Sequence, residues 1–190
     1  MKNPLENLHL TLILGLVVMV ILAFALRGES SNWMELLRVA HIWFGVLWIG
    51  LLYYFNFVQI PSMKKIPDEQ KPAVSKFIAP LALFFFRWAA MATVIIGLII
   101  AWDKGYLHES MSFQPGFRAI GVGMWLGIIM WFNVWFVIWP NQKRALGLVE
   151  ATADIKKASA RRAMLFSRTN ALLSFPMLYC MVAQGHIGTN

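Results

Sequence analysis

The sequence predicts an all-α, polytopic integral membrane protein, with five transmembrane helices and a cytoplasmic amphipathic helix between the fourth and fifth. Three observations carry that expectation. Of 190 residues, 59% are hydrophobic and only 14% are charged, against about 25% charged in an average soluble domain. Five stretches approach the ~20 apolar residues that a helix needs to cross a hydrocarbon core of ~30 Å. Lysine and arginine gather between those stretches, mostly on one side. Together they exclude a solvated globular domain, a disordered chain and an ordinary nucleic-acid-binding module.

The first span, 8–26, has no charge and ends at Arg27. It is long for a signal-peptide core, Glu6 as well as Lys2 precedes it, and no small-residue cleavage site follows, so it reads as a retained span. The second, about 39–60, is expected to stop at Pro61. The third, about 77–102, contains Pro80 and one charge, Arg87. The fourth, about 120–139, is expected to stop at Pro140, and the fifth covers about 169–187. Residues 1–190 thus read as a single membrane domain.

Loop charge sets the orientation. Lys2, Lys64, Lys65, Lys71, Lys76, Lys143, Arg144, Lys156, Lys157, Arg161, Arg162 and Arg168 fall on one side; Arg27, Arg38, Lys104 and Arg118 fall on the other. The positive-inside rule then places the N-terminus in the cytoplasm and the C-terminus in the periplasm of a bacterial inner membrane. This split accounts for the net charge of +8 without nucleic acid. In the segment 141–168, Ala145, Leu148, Val149, Thr152 and Ile155 recur at helical spacing among basic residues. It reads either as an amphipathic helix drawn to anionic headgroups or as a solvated connector.

Ionisable groups inside a bilayer are costly, so each is a functional candidate. His41 lies about 5 Å into the second span and His186 about 27 Å along the fifth, counted at 1.5 Å per residue. The two spans run in opposite directions, so both histidines come to the outer face. Two imidazoles at matched depth on separate helices suit the iron of one haem b, each approaching from its own side; the competing reading is two interfacial histidines bonded to carbonyls or water. Gly45, one turn below His41, leaves room beside the ring, and Trp43, Phe44 and Trp48 supply an apolar wall.

Arg87 falls about 16 Å into the third span, near the midplane. The spans contain no Asp or Glu to neutralise it. Its partner is therefore a haem propionate, another anion or a neighbouring subunit, unless the side chain snorkels toward the cytoplasm. Asn56, Gln59 and Asn133 read first as interhelical packing groups. The single cysteine, Cys180, excludes a disulfide framework and a two-thiol haem attachment.

The second span reads His41-Ile-Trp-Phe-Gly45-Val-Leu-Trp48-Ile-Gly50-Leu-Leu-Tyr53-Tyr54-Phe-Asn56-Phe57-Val-Gln59-Ile-Pro61. This resembles the N-terminal membrane domain of the bacterial membrane-bound urate hydroxylases, the PuuD-type urate oxidases. Phe86-Arg87-Trp88-Ala89-Ala90, Trp139-Pro140-Asn141-Gln142-Lys143-Arg144 and Arg168-Thr-Asn170-Ala-Leu-Leu-Ser-Phe-Pro176 are similar to the same family. More distantly, His41 with its Trp and Gly resembles the first helix of HemJ-type protoporphyrinogen oxidases, small membrane haem b proteins. Complete urate hydroxylases of this type carry further helices and a cytochrome c domain with a Cys-x-x-Cys-His site. The resemblance therefore implies the membrane module and not the whole urate-oxidising activity.

The expectation for function is a haem b electron-transfer or oxidoreductase module, with His41, His186, Arg87, Trp48 and Gly45 around the cofactor and His41 and His186 as iron ligands. Its partners are the lipid bilayer, other membrane subunits and a cytochrome c-like acceptor. The alternative is a cofactor-free accessory subunit that stabilises a larger respiratory, photosynthetic or oxygenase complex.

Overall fold

The computed structural model describes residues 3–26 and 33–184. All regular structure among them is helical. The chain divides into two compact units, Met1–Leu36 and Leu37–Asn190.

The first unit holds helix α1, Leu8–Leu26. A short turn at Pro4–Glu6 precedes it, and the Asn7 side chain caps it by accepting the Leu10 N–H at 3.2 Å. Its residues are apolar around the whole circumference and nearly all exposed, which suits a lipid-facing or packed span.

The second unit is built from four long helices, of which α2, Trp33–Met63, enters from the first unit. Helix α3 is Lys71–Asp103 and, after the short α4 at Leu107–Met111, α5 is Arg118–Ala145. Helix α6, Ala153–Ala183, completes the unit. Among the described residues, α1, α2, α3 and α5 are long and apolar enough to cross a membrane. Helix α6 is as long, about 46 Å for 31 residues, but falls outside that set because polar residues run through it.

Prolines do not end these helices where the sequence predicted. The chain continues through Pro61, Pro80 and Pro140, each preceded by a widened, π-helical stretch: Tyr54–Gln59, Val74–Ile78 and Asn133–Ile138. Proline lacks the N–H for an i→i−4 bond and its ring presses on the carbonyl one turn back. The ladder responds by opening one residue earlier. Ile60 donates to the Phe55 carbonyl, Ala79 to Val74 and Trp139 to Val134, all five residues back. Helices α3 and α5 end instead at glycines. Gly105 (φ 72°) and Gly147 (φ 75°) adopt the left-handed conformation, and the next residues, Tyr106 and Leu148, donate back to Ala101 and Lys143.

The segment 141–168 is correspondingly not one helix. Residues 141–145 finish α5, and a turn through Gly147 leads to Thr152, which caps α6 by accepting the Ile155 N–H. From there the basic stretch and the expected fifth span, as far as Ala183, form one continuous rod.

Within the second unit, from Leu37 on, α2, α3, α5 and α6 form a closed ring of antiparallel neighbours. Phe55 meets Phe86 at 5.5 Å between α2 and α3, and Trp135 meets the Arg87 carbonyl between α5 and α3. Asn133 meets Asn170 between α5 and α6, and Tyr53 meets Ser174 between α2 and α6. The core is Trp48, Leu52 and Phe55 with Leu83, Phe86 and Ala90, then Met130, Val134 and Ile138, then Met177. Helix α6 adds Phe166, Leu173 and Met181 beside Met177 at the edge of this core. Its buried seam is Ser159, Ala163, Ser167, Asn170 and Ser174, while Leu165, Leu172, Phe175, Leu178 and Val182 face outward. Small residues let α6 approach closely, and hydrogen bonds add to its hydrophobic contact.

Candidate functional site

His41 projects from α2 against α3. Its Nδ1–H donates to the Thr93 carbonyl at 2.9 Å. A carbonyl only accepts, so Nδ1 must carry the proton; in the neutral ring Nε2 is then left with its lone pair. Helical carbonyls point toward the residue four positions on, so a ring bonded to Thr93 lies over Gly97. A Cβ at that position would sit 2.8 Å from Cε1 and 3.2 Å from Nδ1 of His41. Only glycine leaves the imidazole its seat. Thr93 itself is held by its hydroxyl, which donates to the Ala89 carbonyl at 2.7 Å.

The carbonyl bond is what the interfacial-histidine reading expects, and it is also the arrangement that an axial haem ligand would use. Metal-bound histidines characteristically donate the second ring N–H to a carbonyl or carboxylate, which fixes the tautomer and aims the free nitrogen. His41, Gly45 and Trp48 recur at intervals of four and three, and so share the α2 face turned to α3. A Cβ on Gly45 would meet Thr93 Cγ2 at an ordinary 3.8 Å, and Trp48 is 1% exposed. Trp43, expected as part of the wall, is exposed instead and lies edge-on to Phe44. His186 lies outside the described residues. Gln184, two positions earlier, binds the start of α5, accepting from the Ile120 N–H and donating to the Gly116 carbonyl. That is the end of the ring where His41 sits.

Arg87 belongs to a different level. On α3 it lies six residues before Thr93, about 9 Å of helical rise, and its side chain leans further from His41, toward the opposite end. Its guanidinium carbon stacks 3.4 Å from the Trp139 ring centroid and 5.9 Å from that of Trp135. The residue is 9% exposed, and neither Nε nor Nη1 has an acceptor. A desolvated cation–π contact contributes about 2 kcal/mol, whereas burying an unpaired ion costs several kcal/mol. The aromatic faces alone do not balance that charge.

A polar layer crosses the ring near this level. Asn56 Nδ2 donates to Ser167 Oγ at 2.9 Å, Asn133 Nδ2 to Asn170 Oδ1 at 2.8 Å, and Asn170 Nδ2 to the Met130 carbonyl at 2.9 Å. Asn56 and Asn133, read from the sequence as packing groups, do bridge helices. Gln59 Oε1 and Asn56 Oδ1 are buried without a donor. Sequence reasoning missed Thr93, Gly97, Asn170 and Trp139 as site residues. The signal was present for the first two: a Thr and a Gly at i, i+4 in an apolar helix make a notch that accepts a side chain.

The family model described as "Urate oxidase N-terminal" matches residues 88–189, just over half of the 190. The matched stretch holds Thr93, Gly97, Asn133, Trp139 and Asn170, and begins one residue after Arg87. It bears on the likeness to urate oxidases and not on the likeness to HemJ-type proteins. No curated protein and no solved structure matches the chain. The chain belongs to the urate oxidase N-terminal family.

Proposed function

We propose that the chain is a membrane-embedded haem b electron-transfer or oxidoreductase module, related to the urate oxidases through this domain. The observation that carries the reading is the His41 Nδ1–H bond to the Thr93 carbonyl, which leaves Nε2 free. A bound haem b would supply one-electron redox chemistry, with its potential set by axial ligand, burial and hydrogen bonding. The protein's own part is to hold His41 still. Thr93 fixes the tautomer, Gly97 admits the ring and Trp48 keeps water out along the same face. His186 is the second ligand in this reading, and Gln184 supports it by anchoring the end of α6 at the start of α5.

The same proposal gives five spans in a bacterial cytoplasmic membrane, N-terminus cytoplasmic and C-terminus periplasmic. Helix α6 is the fifth. Its second half turns Leu165, Leu172, Phe175 and Val182 outward and its serines and asparagines inward, the reverse of a water-soluble helix. Its first half exposes Lys156, Lys157, Arg161 and Arg162, which suits the anionic cytoplasmic surface. A cytochrome c-like acceptor or other membrane subunits take the electrons at the His41 end.

The test is an optical spectrum of the purified full chain. A reducible Soret and α band is expected. If the parent has none, the cofactor-free accessory subunit is the reading that remains.

A further inference from the structure

We propose that Arg87 and Lys143, gathered around the Trp139 indole, bind an oxyanionic group, a phosphate or carboxylate, at the end of the bundle opposite His41. Three observations converge. Arg87 is nine-tenths buried as a residue, and its guanidinium Nε and Nη1 are buried and unpaired. Lys143, one turn further along α5, brings Nζ to 5.7 Å from the same Trp139 ring that Arg87 covers at 3.4 Å. The carboxylates on α2, α3 and α6 are Glu35, Asp103 and Asp154, all at helix ends, and among the described residues no ion pair involves Arg87 or Lys143. Two cations sharing one aromatic ring repel each other, and among the described residues no carboxylate pairs with either.

An anion resolves both problems. It accepts from the buried guanidinium N–H groups, for which oxyanions are the matching acceptors, and it lies within reach of the lysine. The Trp139 face, covered by the guanidinium at 3.4 Å, holds Arg87 in position for it. The Trp135 indole N–H is already committed to the Arg87 carbonyl, which fixes the backbone that carries the guanidinium. The site does not depend on haem at His41, since Arg87 leans away from that level.

The oxyanion has two possible sources, an anionic lipid headgroup or a free anion in solution, and one experiment separates them. The full chain is placed in nanodiscs of phosphatidylcholine alone or with phosphatidylglycerol. Its thermal midpoint is then read with inorganic phosphate or with chloride at matched ionic strength. The parent midpoint should rise on the order of 5 °C with phosphatidylglycerol if the source is lipid, or with phosphate if it is free. Arg87→Gln should remove the rise and Lys143→Gln should reduce it. Native mass spectrometry of the parent, which should retain one phosphatidylglycerol or phosphate, covers the case in which Arg87→Gln fails to fold. A parent that responds to neither probe and retains neither, or an Arg87→Gln variant with an equal rise, overturns the proposal.

Discussion

His41 and Arg87 are both polar side chains set in apolar helices, and the ring of helices treats them differently. His41 has a carbonyl partner and a glycine notch cut to its shape, leaving a single nitrogen over. Arg87 has aromatic faces for its apolar surface and no acceptor for its buried N–H groups. The first arrangement holds a group still so that one atom is available; the second keeps a whole charge waiting for a counter-charge. Unpaired capacity is therefore more informative here than polarity itself. Asn170, with no exposure and both ends of its amide bonded, carries structure and no invitation to a ligand.

Substitutions sharpen that contrast, and the largest effect belongs to the fully paired group. Asn170→Ala strands the Asn133 amide and opens a void, so unfolding in mixed micelles should show a loss of about 2–4 kcal/mol. Next come two glycines that look alike in sequence. Gly97→Ala drives a methyl against the His41 ring and should cost about 1–3 kcal/mol. Gly45→Ala meets only an ordinary contact and should gain up to about 1 kcal/mol from helix propensity. Equal effects at the two positions would contradict the seat described for His41. Arg87→Met, in neutral lipid without added anion, should leave stability unchanged or raise it by about 1 kcal/mol, because it removes a buried charge that lacks a partner. A loss larger than 2 kcal/mol there would mean that Arg87 is already paired within the chain.

The smallest expected effect lies outside the apolar layers. Tyr106, stacked on Phe117, has its phenol pushed above the ordinary value near 10 by burial, with Arg38 pulling the other way. A raised value means that the folded state holds its proton more tightly. The associated stability is present below pH ~10 and is lost as pH rises through the raised value. Tyr106→Phe should flatten the alkaline limb of a stability–pH profile and leave the neutral region unchanged.

Much of the fold was legible because uninterrupted apolar runs declare membrane-length helices. Helix α6 was legible only in part. Its inward Ser and Asn and its outward Leu and Phe cancel in any window average, so it read as a basic segment followed by a separate span. Prolines misled for a physical reason: in a packed apolar helix the backbone repairs itself by widening, and Pro61 and Pro140 interrupt without ending. Within the candidate site, His41 and Arg87 stood out because ionisable residues are rare in such sequences. Their neighbours did not, because Thr93, Gly97 and Trp139 are common in spans for other reasons. Trp139 stands in the sequence as the last residue of the expected fourth span, yet it is the surface on which Arg87 rests.

The measurement that bears most directly on His41 as a haem ligand is the reduced-minus-oxidised spectrum of the full chain beside that of His41→Ala. Ligation by His41 requires an α band in the parent and its loss in the variant, with both inserted and folded alike by circular dichroism. An α band of equal strength in His41→Ala, or a parent purified from haem-replete cells with no band, would contradict it.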